Sequence, residues 1–159
     1  MKTHASTFHS PLGEILLLAT DAGLSGVYFT GQRYFPKADP AWFWKDAPFA
    51  AVKRALAVYF SGKRRALALP LDLRGTDFQK RVWCALLDIA PGQTRTYGDI
   101  ARGIGAPAAV RAAGAAIGRN PVSIIVPCHR VIGSGGSLTG YAGGLERKAW
   151  LLQHERPAQ

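Results

Sequence analysis

Hydrophobic patterning along this 159-residue chain changes character at residues 72–76, and that change limits the folds open to it. Before it, the pattern is mainly that of strands. Ile15 to Ala19 and Leu24 to Phe29 are apolar runs flanking Asp21-Ala22-Gly23, a hairpin signal. Residues 30 to 47 read as irregular, and Trp42, Phe43 and Trp44 are expected to pack in a core or between domains rather than to stack on bases. A helix is predicted from Pro48 to Phe60, with Phe49, Val52, Leu56 and Tyr59 or Phe60 on one stripe and Gly62 as its stop. Ala66 to Leu71 is a short strand candidate, placed at an edge because Pro70 removes a ladder donor.

After residue 76 the period is helical. Thr76-Asp77-Phe78-Gln79 forms a capping box. Phe78, Val82, Leu86 and Ile89 continue one apolar face until Pro91-Gly92, and Cys84 on this segment is expected to be a packing residue. Thr96-Tyr97-Gly98-Asp99 opens a shorter helix ending at Gly103 to Gly105. Pro107 is predicted in the first turn of the next helix, Pro107 to Ile117, where its missing N–H costs nothing. Two short helices across a Gly-containing turn make a helix-turn-helix candidate. The organisation expected is therefore α+β in two domains, residues 1–71 and 72–159.

Composition narrows the classes further. A hydrophobic fraction of 48% is too high for a disordered chain. The longest aliphatic run, Ile15 to Ala19, falls far short of the ~20 residues that span a bilayer, and no signal-peptide core precedes it. Two cysteines, Cys84 and Cys128, make neither a disulfide framework nor a four-Cys zinc site. A cytoplasmic protein is expected, without membrane association. The net charge of +10 fits attraction to a polyanion, with solubility alone as the plainer reading. Ten basic and five acidic residues lie on either side of the boundary between positions 75 and 76, and eight of the second ten are Arg, whose planar fork suits phosphate. No like-charge run exceeds Lys63-Arg64-Arg65. In the second helix of the helix-turn-helix candidate only Arg111 has a long polar side chain, so this helix has little with which to read base edges. It is either packed inside or brings its backbone close to DNA with one arginine projecting.

The most informative stretch runs from Asn120 to Ile132. Val122 to Val126 is a buried strand candidate leading into Pro127-Cys128-His129-Arg130. A Cys ending an apolar strand is usually a small hydrophobe. Here the adjacent His can accept the thiol proton and favour thiolate, the reactive form. Neighbouring side chains on a strand face opposite ways, so coupling needs a turn at Cys128 or a bridging water. Such a His needs an orienting acid; of three Glu, Glu155 in the terminal helix Leu145 to Glu155 can fold back. Asn120, the one Asn in the chain, can tie down the strand-end turn.

The segment Ile-Val-Pro-Cys-His-Arg-Val-Ile closely resembles the active-site motif of the O6-alkylguanine-DNA alkyltransferases, also called methylated-DNA–protein-cysteine methyltransferases. Phe78 to Trp83, Pro91-Gly92 with Thr96 to Ala101, Ala109 to Ala112, Gly118 to Pro121, Gly140 to Gly144 and Trp150 to Glu155 resemble further family blocks in family order, covering residues 76 to 155. Ser10-Pro11-Leu12-Gly13 carries a looser resemblance in the N-terminal part. The resemblance implies an N-terminal ribonuclease H-like α/β domain and a C-terminal winged helix-turn-helix-like domain. It implies stoichiometric, single-turnover transfer of an alkyl group from O6-alkylguanine in duplex DNA to Cys128, with O4-alkylthymine left open as a second substrate. No cofactor and no metal are implied, and a monomer is expected. The sulfur would belong to a Cys–His–water–Glu relay of Cys128, His129 and Glu155, with Asn120 as hinge and Tyr97 donating a proton toward the departing base. Arg111 would enter the duplex in place of the extruded base. Ala109, Ala112, Gly114, Thr96 and Arg119 would contact DNA, the small residues allowing close approach in the minor groove. Val131, Tyr141 and Ala142 would form the base pocket. Alkyltransferase-like proteins, which bind lesions without repair, carry Trp where this chain has Cys128; such a non-catalytic module is the alternative.

Overall fold

The computed structural model describes residues 2–63 and 67–157. Its N-terminal part is built on a four-stranded sheet, order β3-β2-β1-β4, from β1 (His4–Ser10), β2 (Gly13–Thr20), β3 (Gly23–Phe29) and β4 (Phe43–Trp44). β1 and β3 flank β2 antiparallel, and β4 runs parallel to β1. The expected hairpin is present. β1 was not expected, because His4, Ser6, Thr7 and His9 break up its apolar pattern. Along β2, Ile15, Leu17 and Ala19 join the main core while Leu16 and Leu18 pack with Ala5, Tyr28 and Trp42 on the other face. Both faces of this strand are covered, which is why its sequence is an unbroken aliphatic run rather than an alternation. At the β2–β3 turn Gly23 has φ +148°, and a Cβ there would lie 2.6 Å from the Pro70 carbonyl oxygen. Glycine lets the incoming segment 70–72 dock against Leu24, whose N–H donates to Pro70 O at 2.9 Å.

Helix α1 (Ala50–Phe60), preceded by a single 3-10 turn over Ala47–Phe49, buries Val52, Leu56 and Tyr59 against that sheet, as the predicted stripe requires. Two expectations in this part need correction. Residues 67–70 form no strand; Leu71 makes one parallel bridge to Leu24, and Ala66 lies outside the described residues, as do Arg64 and Arg65. Phe43 and Trp44 are not core, being 47% and 60% exposed, because β4 is a two-residue strand at the edge of the sheet. Of the three aromatics, Trp42 is the one packed against the Leu16–Leu18 face.

Residues 72–76 lead without regular structure into α2 (Asp77–Leu86). Its capping box is closed in both directions: Thr76 Oγ1 accepts from Gln79 N–H at 3.1 Å and Gln79 Oε1 accepts from Thr76 N–H at 2.9 Å. Val82, Trp83 and Leu86 are buried, and the Trp83 indole N–H donates to Ala116 O at 2.8 Å, tying α2 to a later helix. Cys84 is exposed and is not the packing residue expected. Two short strands, β5 (Arg95–Thr96) and β6 (Val131–Ile132), pair in parallel. The helix-turn-helix pair is α3 (Tyr97–Gly103) and α4 (Val110–Gly118). α4 begins three residues later than predicted: Ala109 N–H donates to Ala106 O, so Pro107 occupies the connecting turn rather than the helix. α5 (Leu145–His154) closes the chain. The main core runs through both parts, from Ile15, Phe29 and Leu56 to Val82, Ile117, Val126 and Leu151. No helix among the described residues is long and apolar enough to cross a membrane.

Candidate active site

The segment that carries Cys128 is buried as expected but is not a strand. Val122 forms one parallel bridge with Val27 on the free edge of β3, through Val27 N–H to Pro121 O and Ser123 N–H to Val27 O. The backbone then turns. Val126 N–H donates to Val122 O at 3.0 Å, and Ile124 sits at φ +73°, a region a β-branched residue rarely enters. The Asn120 side chain organises this turn. Its Nδ2 donates to Val126 O at 2.8 Å and to Val122 O at 3.4 Å, and its Oδ1 accepts from Val122 N–H at 3.0 Å. One amide thereby satisfies buried backbone groups that a strand ladder would otherwise have to satisfy. Pro127 follows, and Cys128–Arg130 form a single 3-10 turn. The adjacent Cys128 and His129 are therefore not on opposite faces of a strand, and the turn required for their coupling is present.

Glu155, capping the end of α5, is the hub of a buried cluster. His129 Nε2 lies 2.7 Å from its Oε2; Arg130 donates from Nε to Oε1 at 2.7 Å and from Nη2 to Oε2 at 2.9 Å. The Tyr59 hydroxyl, from the N-terminal part, donates to Oε2 at 2.6 Å. Burial pushes the Glu155 carboxyl up, but the hydrogen bonds from His129 and Arg130, with the Arg130 charge, hold it well below the usual carboxylate range. Burial pushes His129 the other way, below its ordinary value, against the pull of Glu155, so the imidazole is neutral at pH 7. An ionised carboxylate only accepts, so Nε2 carries the His129 proton. The tautomer leaves Nδ1 as a lone-pair acceptor, buried and without a hydrogen-bond partner among the described residues. The His129–Glu155 contact is direct, so no water stands between these two.

Burial also raises the Cys128 thiol to about 11, against the opposing effects of the Asn120 amide and the Lys148 charge. Lys148 was not anticipated from the sequence. It is fully buried, and its Nζ donates to Val131 O and Thr139 O, both at 2.6 Å. Burial lowers its pKa to about 8. Its signal was available: Lys148, Leu151 and Glu155 recur at helical spacing on the buried face of α5. Arg130 and Tyr59 were likewise not anticipated as partners of Glu155. Arg130 has no periodic signature, and Tyr59 has the pattern of an ordinary core aromatic.

Parallel pairing of β5 with β6 sets the start of α3 beside the end of the Cys128 turn, and so brings Tyr97 to the site. A cavity of about 330 Å³ opens beside Tyr97, lined by Tyr97, Gly114, Arg119, Tyr141 and Ala142 together with Arg33 and Tyr34; Cys128 and His129 do not line it. The Tyr97 hydroxyl donates to Thr139 O at 3.0 Å. Tyr141 turns its ring edge to His129, with centroids 6.5 Å apart. Gly114 faces the Tyr97 ring; a Cβ there would touch Cδ1 at 3.7 Å. Arg111 and Ala112 are exposed on α4, Ala109 is half-buried at its start, and Arg111 has no ion pair among the described residues. Two further expected site residues make contacts of their own. Val131 does not line the cavity, and its carbonyl accepts from Lys148 Nζ. The Thr96 hydroxyl caps α3, accepting from Asp99 N–H at 3.0 Å.

Comparison with known proteins places this geometry. The family described as "6-O-methylguanine DNA methyltransferase, ribonuclease-like domain" matches residues 3–73, and "6-O-methylguanine DNA methyltransferase, DNA binding domain" matches residues 77–157. The methylated-DNA–protein-cysteine methyltransferase of Mycobacterium leprae is 46% identical over 153 residues, covering 96% of this chain and 92% of its own. That of Methanosarcina acetivorans is 47% identical over 148 residues, covering 93% and 95%. The crystal structure of Mycobacterium tuberculosis OGT in complex with DNA superposes with a TM-score of 0.89 at 46% identity, covering 98% of this chain and 96% of the other.

Proposed function

This chain belongs to the 6-O-methylguanine DNA methyltransferase family, and from that premise we propose how its own residues carry out direct reversal of DNA alkylation. The substrate is O6-alkylguanine in duplex DNA, extruded from the stack so that its O6 can reach a thiol. The observation that carries the reading is the Cys128-His129-Glu155 arrangement: a thiol on a tight turn beside a neutral imidazole whose tautomer Glu155 sets. Cys128 Sγ attacks the alkyl carbon opposite O6. The thiol proton passes to His129 Nδ1, directly or through one water. The S–C bond forms as the C–O bond breaks, and the bonding pair leaves with guanine, which takes a proton from the Tyr97 hydroxyl. The thioether has no route back, so each molecule acts once. Asn120 holds the turn, Tyr141 and Ala142 wall the base pocket, and Arg111 fills the space in the duplex. Ala109, Ala112, Gly114, Arg119 and Thr96 contact the DNA. The same reading takes residues 1–71 and 72–159 as the two domains of a cytoplasmic monomer.

A duplex carrying a labelled O6-methylguanine tests this. The label should move to the peptide containing Cys128, with a mass gain of one methylene and no second turnover. Transfer that survives Cys128→Ala overturns the assignment, and tight lesion binding without loss of the methyl group supports the non-catalytic alternative.

A further inference from the structure

The mouth of the base pocket is not built from the C-terminal part alone. The loop after β3 reaches it in a preformed shape. Gln32 is buried, its Oε1 accepting from Phe29 N–H at 2.8 Å and its Nε2 donating to Arg33 O at 3.1 Å. Arg33 N–H then donates to Ala142 O at 2.9 Å, pinning the loop to the pocket wall. The next residue, Tyr34, stands at φ +63°, a conformation costly for an aromatic residue and kept only where the surroundings impose it. Its ring meets two cations: the Arg119 guanidinium lies 3.9 Å from the ring centroid and that of Arg33 lies 4.8 Å away. Both arginines are exposed, and neither meets a carboxylate among the described residues.

Two like charges held on one ring without an acid between them repel each other, so this arrangement asks for an anion. A guanidinium with its face on an aromatic ring keeps its N–H edge free for bidentate binding of phosphate. An extruded nucleotide carries a phosphate on each side of its sugar, outside the pocket its base enters. We propose that Tyr34 is a positioning residue that holds Arg119 and Arg33 at the pocket rim, where they bind the phosphates flanking the extruded nucleotide. The N-terminal part thereby takes a direct share in nucleotide capture. This inference rests on the function proposed above.

Tyr34→Asn removes the ring with a residue that tolerates the left-handed region, and Tyr34→Phe keeps the ring. These variants and Arg33→Gln are compared with wild type for alkyl transfer from a duplex, for transfer from the free O6-methylguanine base, which has no phosphates, and for duplex affinity across a salt series. Tyr34→Asn and Arg33→Gln should lower the duplex rate about tenfold more than the free-base rate. The slope of log affinity against log salt should flatten by about one for each phosphate no longer bound. Tyr34→Phe should behave as wild type. Equal losses on both substrates, or no loss on the duplex, overturn the proposal. Absence of transfer by wild type overturns the function instead, and the affinity series still decides the role of Tyr34.

Discussion

Glu155 is where residue-scale chemistry is concentrated. It accepts from His129, Arg130 and Tyr59, and removing it strands a buried guanidinium. Glu155→Gln should destabilise the fold by about 3–5 kcal/mol, the usual cost of leaving one partner of a buried pair uncompensated, as chemical denaturation would measure. The pH dependence follows from the direction of its shift. A carboxyl whose folded pKa lies below its unfolded value stabilises the fold above that unfolded value, about 4.3, and the contribution is lost as pH falls below it. Unfolding free energy should therefore drop as the solution is acidified from about pH 5 to about pH 3 in wild type, and drop less steeply in Glu155→Gln. Cys128 gives another expectation. With its thiol at about 11, the free protein holds little thiolate at pH 7. Alkylation of Cys128 by a small haloacetamide, in a Cys84→Ser background, should rise steadily from about pH 7 to about pH 10. A plateau below about pH 8 would contradict a buried, protonated resting thiol.

Among the elements, the turn from Asn120 to Arg130 and the caps are the parts that single side chains control. Asn120→Ala removes the acceptor of the buried Val122 N–H, at on the order of 1–3 kcal/mol, and leaves Val126 O with the Cys128 N–H alone. It should lower stability and alkyl-transfer rate together, because Cys128 rides on this turn. Thr76→Ala should cost about 1 kcal/mol through loss of the cap and leave transfer intact, as thermal unfolding and the label assay would show. Much at this scale was legible. The Thr76 box, the buried face of α2 and the stripe of α1 depend on residues within one or two turns of each other. The strand expected at Val122–Val126 was not legible as a turn. An apolar run reports burial, and here burial is satisfied by a turn that one amide holds together. The start of α4 was misplaced for a similar reason: Pro107 suits a first helical turn and a connecting turn alike.

For the whole molecule, charge and docking dominate. The excess of ten positive charges is shared equally by the two parts, and the cavity proposed as the base pocket takes arginines from both. Duplex binding should weaken roughly linearly in log salt, and Arg111→Ala should reduce transfer from duplex far more than from free base. The sheet supplies more than support. Its β3 edge receives Leu71 and Val122, and α1, packed on it, sends Tyr59 to Glu155, so the site is assembled across both parts.

The order of amino acids was enough to single out the residues proposed for the chemistry, Cys128 beside His129, Asn120 ahead of them and the lone Arg111 on a helix of small residues, and to show the periodic faces that bury most elements. These signals are local in the chain, and their family blocks recur in order. It took the folded arrangement to establish that Arg130 and Tyr59 share Glu155, that Lys148 is buried beneath Val131, and that Tyr34 reaches the pocket rim. The Lys148–Val131 and Tyr59–Glu155 hydrogen bonds alone join residues 17 and 96 positions apart. Their geometry depends on how the core packs both parts together, which no local period encodes.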